Sequence, residues 1–305
     1  CGNIQGSSMS IDAQANLRTI RDVLRWAVTR MNEGGVFLGH GQGDAVDEAL
    51  LLVLRSLQLP VDRADLFLDA FLTHAEINSL IQVVDQRVRK RTPAAYVLRE
   101  AWLQGYRFYV DERAIVPRSF IAELLKDGLT PWVQNAAAIA DVLDLCTGSG
   151  CLAIMAADVF PGSQVDAVDI SPDALAVAKR NIADYQMGAR VHALHSDLYA
   201  GLPAKRYDII LCNPPYVTDE SMASLPREYQ HEPKLALAGG PDGMAVVRRV
   251  VRGARSYLKR GGLLFVEVGG GRAAAEQVLK DVPLTWLTTS DGDDTVFMAR
   301  QEELP

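Results

Sequence analysis

From Asp141 onward, short apolar runs of strand length alternate with longer runs of helical period, and that alternation restricts the chain to a mostly parallel sheet with helices on both faces. The first strand is expected over 141–145, and Thr147-Gly148-Ser149-Gly150 turns it into a helix over 151–159. A second strand over 164–169 feeds a helix over 171–185, and a third strand follows over 190–194. The fourth, Tyr207-Asp208-Ile209-Ile210-Leu211-Cys212, stops at Asn213-Pro214-Pro215-Tyr216. Proline fixes φ, lacks an N–H and keeps its predecessor out of the helical region, so the strand ends in a stiff loop. A long loop to Pro233, a helix over 244–258, a fifth strand over 263–268 and a helix over 272–280 come next. Segments 285–289 and 295–300 close the sheet as an antiparallel pair, making seven strands.

Before this alternation the pattern is helical. Leu17, Ile20, Val23, Leu24, Ala27, Val28 and Met31 recur at three-four spacing and predict a helix over 11–31, stopped by Gly34-Gly35. Asp44 caps a second helix over 44–57, and two more are expected over 64–72 and 75–88. Residues 9–92 thus form a helical bundle, read as a substrate-recognition domain. The aromatic stretch 101–110, centred on Gly105, predicts a β-hairpin, so 93–118 is assigned as a hairpin linker and 119–305 as the α/β domain, entered by a helix over 119–126. Residues 1–8 carry Gly, Ser, Asn and Gln without periodicity, and Met9 looks like the natural start, so they are set aside as a non-native appendage.

Composition limits what such a chain can do. Its 49% hydrophobic and 23% charged residues are those of a globular protein with ample core, and no apolar run approaches the roughly 20 residues that span a bilayer. The expectation is a cytoplasmic protein without a membrane contact. A formal charge of −7 argues against gripping a nucleic-acid backbone as the main task. The dense basic run Arg87-Val88-Arg89-Lys90-Arg91 reads as a solvated helix end or as a local contact to RNA or an acidic partner. Cys1, Cys146, Cys151 and Cys212 lack zinc spacing and read as reduced, mostly buried thiols, so no metal is expected.

Carboxylates at successive strand ends point to a ligand. Asp144 precedes the turn Cys146-Thr147-Gly148-Ser149-Gly150, whose glycines let backbone approach a ligand closely. A third glycine is missing from the dinucleotide fingerprint, since Gly150 is followed by Cys151, Leu152 and Ala153; alanine is allowed there, so the turn alone decides little. Asp169, followed by Ile170, stands where a carboxylate takes both hydroxyls of a ribose. Asp197, followed by Leu198, is placed to accept from an adenine amine. Any one of these aspartates could merely cap a helix. Three in sequence, with no phosphate to neutralise, suit S-adenosylmethionine, whose sulfonium and amino group favour nearby acids.

With 144–150, Asp169, Asp197 and Asn213-Pro214-Pro215-Tyr216 in this order, the chain resembles the class I, Rossmann-like methyltransferases, and within them the HemK family of protein-glutamine N(5)-methyltransferases. Phe108-Tyr109-Val110, Val116-Pro117-Arg118 and His231-Glu232-Pro233 with Leu235-Ala236-Leu237 carry the likeness over nearly all of the chain after Met9. One branch modifies peptide-chain release factors and usually continues Pro-Arg-Pro-Glu-Thr-Glu after the hairpin; the other modifies a glutamine of large-subunit ribosomal protein L-three. Here Val110-Asp111-Glu112-Arg113, Pro117-Arg118-Ser119-Phe120-Ile121-Ala122-Glu123 and Cys146 look like the ribosomal-protein branch. The resemblance implies transfer of a methyl group from S-adenosylmethionine to the glutamine amide nitrogen, with S-adenosylhomocysteine as product and nucleic acid touched only indirectly.

A glutamine amide is a poor nucleophile, because its nitrogen lone pair is delocalised. Asn213 can accept one amide N–H through its side chain while the Pro214 carbonyl accepts the other, aiming the nitrogen at the methyl group. Asn213, Pro214 and Tyr216 are the expected catalytic residues, and Asn213 also borders the cofactor. Tyr216 would wall the substrate, and Pro215 with Pro214 keeps the loop rigid. Phe108, Arg118 and Glu232 are further expected substrate contacts, although the favoured reading of Glu232 is a loop anchor, and Arg118 also reads as a tie between hairpin and catalytic domain. His231 and Glu232 also suit a lid. The competing readings are the release-factor enzyme, a DNA adenine-N(6) methyltransferase, which would need a basic groove for its extruded base, and a catalytically silent cofactor-binding module.

Overall fold

The computed structural model describes residues 16–39 and 43–305, leaving aside the side chains of 293 and 294. The appendage expected over 1–8 and the beginning of the helix expected over 11–31 lie outside the described residues. Two compact units make up the chain: one runs to Arg99 and takes in Pro226–His231, and the other comprises Glu100–Leu225 and Glu232–Pro305. The hairpin therefore belongs to the second unit, and the first runs on to Arg99, past the boundary expected after 92.

The first unit is helical. Helix α1 (Ile20–Gly34) begins in a reciprocal cap, where Thr19 Oγ1 accepts from Asp22 N and the Asp22 carboxylate accepts from Thr19 N at 2.9 Å. Helix α2 (Ala45–Ser56) starts on Asp44, which accepts from the amides of Val46 and Asp47. Helix α3 (His74–Arg89) repeats the reciprocal cap with Thr73 and Glu76. Val23, Ala27 and Met31 pack with Leu52, Val53, Leu80 and Val84 to form the core.

No α-helix forms over 64–72. A 3-10 helix covers Val61–Leu66, and turns follow. The carbonyls of Leu68 and Ala70 accept from Arg21 N at 2.9 Å and Ile20 N at 3.2 Å, and Leu72 N donates to Arg18 O at 2.8 Å. Backbone groups that a helix would have used internally satisfy the open amino end of α1 instead.

The basic run is not a solvated helix end at its most important member. Arg87 is fully buried: Nε donates to Glu48 Oε1 at 2.5 Å, Nη1 to Glu228 Oε1 at 3.2 Å and Nη2 to Phe37 O at 2.6 Å. Arg91 donates to Gly35 O and to Glu228 Oε1. Burial works against ionisation of Glu228, yet the Phe37 amide and Arg87 hold its carboxyl below the ordinary range. These arginines hold the unit together from inside.

The second unit opens with a short helix's successor, the hairpin β1 (Ala101–Leu103) and β2 (Tyr106–Phe108), turning at Gln104-Gly105 with both φ values positive. Helix α4 (Ala94–Leu98) closes the first unit before it, and α5 (Ile121–Lys126) leads into the sheet. The central strands are β3 (Asp141–Leu145), β4 (Gln164–Asp169), β5 (Val191–His195) and β6 (Tyr207–Cys212). Between them run α6 (Cys151–Val159) and α7 (Pro172–Asp184). A small parallel ladder, β7 (Val217–Thr218) with β8 (Ala238–Gly240), follows β6. Helix α8 (Ala245–Tyr257), β9 (Leu258–Glu267), helix α9 (Arg272–Val278), β10 (Thr285–Thr289) and β11 (Gly292–Arg300) complete it.

The large sheet has seven strands in the order β10-β11-β9-β6-β3-β4-β5, parallel except for β11. Ile209, Leu211 and Phe265 point into one buried layer, and Ile210, Cys212, Leu264 and Val266 into the other. Burial on both faces explains why these strands read as unbroken apolar runs. Among the described residues no helix is long and apolar enough to cross a membrane.

Candidate active site

The chain runs from β3 outward through β4 and β5, then returns to the other side of β3 with β6 and β9. Strand order thus reverses between β3 and β6, and the carboxyl ends on either side of that reversal form the crevice where such sheets bind ligands. Leu145 pairs with Cys212, which sets Cys146 and Asn213 side by side at its lip.

Asp144 and Asp169 lie on the β3 and β4 side of this crevice. Asp144 Oδ2 accepts from Thr147 Oγ1 at 2.5 Å and Ala153 N at 3.1 Å, whereas its buried Oδ1 has no hydrogen-bond partner among the described residues. Burial pushes the Asp144 carboxyl up to about 7, with the charge of Asp169 adding to the shift. Asp169 Oδ1 accepts from Ser171 N at 2.8 Å and Oδ2 from Gly148 N at 2.9 Å; burial raises this carboxyl too, against those bonds. The two amides occupy one lone pair on each oxygen and leave acceptor capacity for two hydroxyls. Asp169, half-buried with a lone pair left on each oxygen, suits the ribose hydroxyls of S-adenosylmethionine, while Asp144 lies beneath the surface and acts on a bound cation only through its charge.

The remaining expected cofactor residues are distributed around the same loop. Thr147 N donates to Val168 O at 2.9 Å, fixing the turn, and Gly148 has φ +56, where a Cβ would stand 3.7 Å from Ile115 Cγ2. Gly150 is needed for packing instead: a Cβ there would meet Ala178 Cβ at 3.2 Å. Cys146 is half-buried with φ +58. Ile170 is 45% exposed at the end of β4 and offers an apolar face. Leu198 is buried in the core, so its side chain does not line the crevice. Asp197 is exposed, and Arg249 Nη2 donates to its Oδ2 at 2.8 Å.

On the β6 side stands the Asn-Pro-Pro-Tyr loop. Pro214 is buried, while Asn213, Pro215 and Tyr216 are half-buried. No hydrogen bond to another described residue engages the Asn213 side chain. Downstream, Val217 N donates to Leu237 O at 2.9 Å, and the β7–β8 ladder clamps the loop's exit. One register step beyond Val266, opposite Asn213, lies Glu267, a residue the sequence did not single out. Burial raises its carboxyl to about 7, although Ser119 Oγ at 2.6 Å and Phe120 N at 2.9 Å donate to it.

Two expected substrate contacts have other partners. Phe108 has no exposed surface; its ring packs against Tyr106 and Tyr185, so it is a core residue and cannot touch substrate. The hairpin's alternation put it on the inward face. Glu232 is buried and accepts from Arg118 Nη1 at 2.5 Å, Arg118 Nη2 at 2.8 Å and Val116 N at 3.1 Å. That fork ties the segment after the hairpin to the loop after Tyr216, the anchoring alternative for both residues. His231 falls in the helical unit, with Nε2 2.8 Å from Lys90 O.

A seven-stranded, mostly parallel sheet with an acid-lined crevice at its reversal point is that of a class I, Rossmann-like methyltransferase. The methyltransferase small domain family matches residues 127–228. The ribosomal protein uL3 glutamine methyltransferase of Burkholderia pseudomallei is 52% identical over 295 residues, covering 94% of this chain and 96% of that protein. Its counterpart from Bordetella pertussis is 50% identical over 296 residues, covering 97% and 99%, and that from Francisella tularensis 42% over 289 residues, covering 95% and 92%. The chain belongs to the family of ribosomal protein uL3 glutamine methyltransferases.

Proposed function

We propose that this enzyme transfers the methyl group of S-adenosylmethionine to the side-chain amide nitrogen of a glutamine in ribosomal protein uL3, with Asn213 and Pro214 aiming that nitrogen. The observation that carries the assignment of roles is the uncommitted, half-buried Asn213 side chain, set beside the glycine turn by the β3–β6 register. Its Oδ1 accepts one amide N–H and the Pro214 carbonyl accepts the other. Two acceptors on a proline-stiffened loop hold the nitrogen's lone pair toward the crevice and need little rearrangement when charge develops there.

S-adenosylmethionine supplies a methyl group already activated by its sulfonium and leaves as S-adenosylhomocysteine. Asp169 holds the ribose hydroxyls, Asp144 and Asp169 complement the positive charge, and Ile170 covers an adenine face. With the methyl donor bound, Asn213 and Pro214 would hold the amide nitrogen, and the proton that the methylated nitrogen sheds would pass to solvent without a strong base. Tyr216 walls the slot in which the glutamine lies. The helical unit recognises the rest of uL3, and the enzyme works in the cytoplasm. The release-factor reading loses to the uL3 names of relatives that match nearly end to end.

Asn213→Ala tests the assignment. Turnover on purified uL3, followed as a gain of one methyl group by intact mass, is expected to fall on the order of a hundredfold or more, while calorimetric affinity for S-adenosylhomocysteine stays within a few-fold. Lost cofactor affinity with proportionate activity would remove Asn213 from the substrate amide.

A further inference from the structure

Tyr216 is enclosed by backbone that carries no side chain. Gly269, in the loop after β9, has φ +53; a Cβ built on it would stand 2.6 Å from Cε2, 3.0 Å from Cζ and 3.2 Å from Cδ2 of the Tyr216 ring. On β8, a Cβ on Gly239 would lie 2.7 Å from Tyr216 Cα and 2.8 Å from Gly243 Cα, and one on Gly243 would strike the Tyr216 carbonyl. Carbon pairs settle at about 3.5–4.0 Å, so none of these positions accepts even a methyl group without movement.

The three glycines act on different parts of the tyrosine. Gly239 and Gly243 meet its backbone, which the β7–β8 ladder prevents from shifting. Gly269 meets ring atoms, which can swing. The loop bearing Gly269 cannot withdraw to make room: Val268 N donates to Thr295 O at 2.8 Å, Gly271 N to Val268 O at 3.0 Å, and Met244 Cε would lie 2.8 Å from a Cβ on Gly271. A side chain at 269 therefore displaces the ring.

We propose that Gly269 is a positioning residue for the glutamine substrate: by presenting bare backbone to Tyr216 it fixes the plane of the ring, and with it the width of the slot beside Asn213. This deepens the reading of Tyr216 as the substrate wall and rests on it. Nothing about Gly269 touches the cofactor acids, so its effect falls on uL3 and leaves the cofactor alone.

The test is a double-mutant cycle in the full chain, with kcat/KM for uL3 and calorimetric affinity for S-adenosylhomocysteine read for every variant. Gly269→Ala is expected to lower kcat/KM at least tenfold with cofactor affinity within twofold. Gly270→Ala, which has no atom within 4 Å of a Cβ there, is expected to match the parent on both. In a Tyr216→Ala background, which lacks the clashing ring atoms, adding Gly269→Ala is expected to change kcat/KM by less than twofold. If Tyr216→Ala impairs the enzyme and Gly269→Ala costs its full factor again on top, the positioning role is overturned while the wall stands. If Tyr216→Ala leaves kcat/KM at the parent value, the wall reading falls and the proposal with it. Should Gly269→Ala alone not accumulate as folded protein, the double variant is expected to restore folding; failure of both would show that the glycine serves only the loop's own conformation.

Discussion

Arg118→Ala separates an anchor from a substrate contact. Glu232 has no exposed side-chain surface, and its carboxylate receives both arms of the guanidinium, at 2.5 and 2.8 Å, plus the Val116 amide. Removing Arg118 takes both guanidinium donors and the countercharge from a buried carboxylate, and breaking a buried pair in this way costs about 3–5 kcal/mol. Glu232→Gln is the gentler change. Its carbonyl still accepts from Val116, and the released guanidinium, one-fifth exposed, can turn to water, so the loss is that of charge-assisted hydrogen bonds, about 1.5–3 kcal/mol. For a unit of this size each kcal/mol moves the midpoint by about 2–4 °C, so Arg118→Ala should melt roughly 10 °C lower and Glu232→Gln about half as far. Thermal unfolding by circular dichroism, with KM for uL3 measured well below the midpoint, reads both quantities. An unchanged midpoint with a raised KM would refute the anchor and return Arg118 to the substrate.

Asp169→Ala removes the acceptor that holds the Gly148 amide and, on the proposed roles, the ribose hydroxyls, so affinity for S-adenosylhomocysteine should fall at least about tenfold; unchanged calorimetry would take Asp169 out of the cofactor site. Arg87→Met leaves Glu48 and Glu228 buried without their shared cation and should destabilise the helical unit by about 3–5 kcal/mol, read as loss of amide-exchange protection there; wild-type protection would mean the arginine is dispensable. The Glu267 carboxyl titrates near 7 when folded, against an ordinary value of 4.5, so the folded state binds the extra proton between those values. Its stabilising contribution is complete below the ordinary value and is lost as pH rises through about 7. Glu267→Gln should therefore flatten the fall in stability between pH 5 and 8 without abolishing it, because Asp144 titrates in the same window; an unaltered slope would contradict the assignment.

The sheet was legible because burial on both faces writes its central strands, such as β6 and β9, as largely apolar runs, and because several of those runs end in residues that mark a turn. Asp169, Asn213 with its prolines, and the glycines after Leu145 mark strand ends whatever they bind. Reading failed where long-range contacts override local pattern. Residues 64–72 have helical spacing, but their carbonyls are taken by α1 amides nearly fifty positions earlier. Arg87 sits in a basic run that looks solvated, and only the approach of Glu48 and Glu228 makes it a core residue.

The candidate site divides along the same line. Side chains that would hold a ligand by charge or by hydrogen bonds advertise themselves by type, so the acids and the Asn-Pro-Pro-Tyr loop can be proposed from the chain alone. Residues that act by leaving space do not: Gly239, Gly243 and Gly269 differ from turn glycines only in what would fill their missing Cβ position. A partial signal was present, since Gly269-Gly270-Gly271 follows the end of β9 and Gly239-Gly240 makes up most of the short strand β8. Two glycine clusters flanking one stiff loop imply that something bulky must pass between them, and in this fold the bulky element is Tyr216. The rigidity of the catalytic loop thus has two sources, prolines that restrict its own backbone and glycines elsewhere that let the surrounding backbone close on it. On the roles proposed above, replacing either set should disturb the aim of Asn213 while leaving Asp144 and Asp169 unchanged.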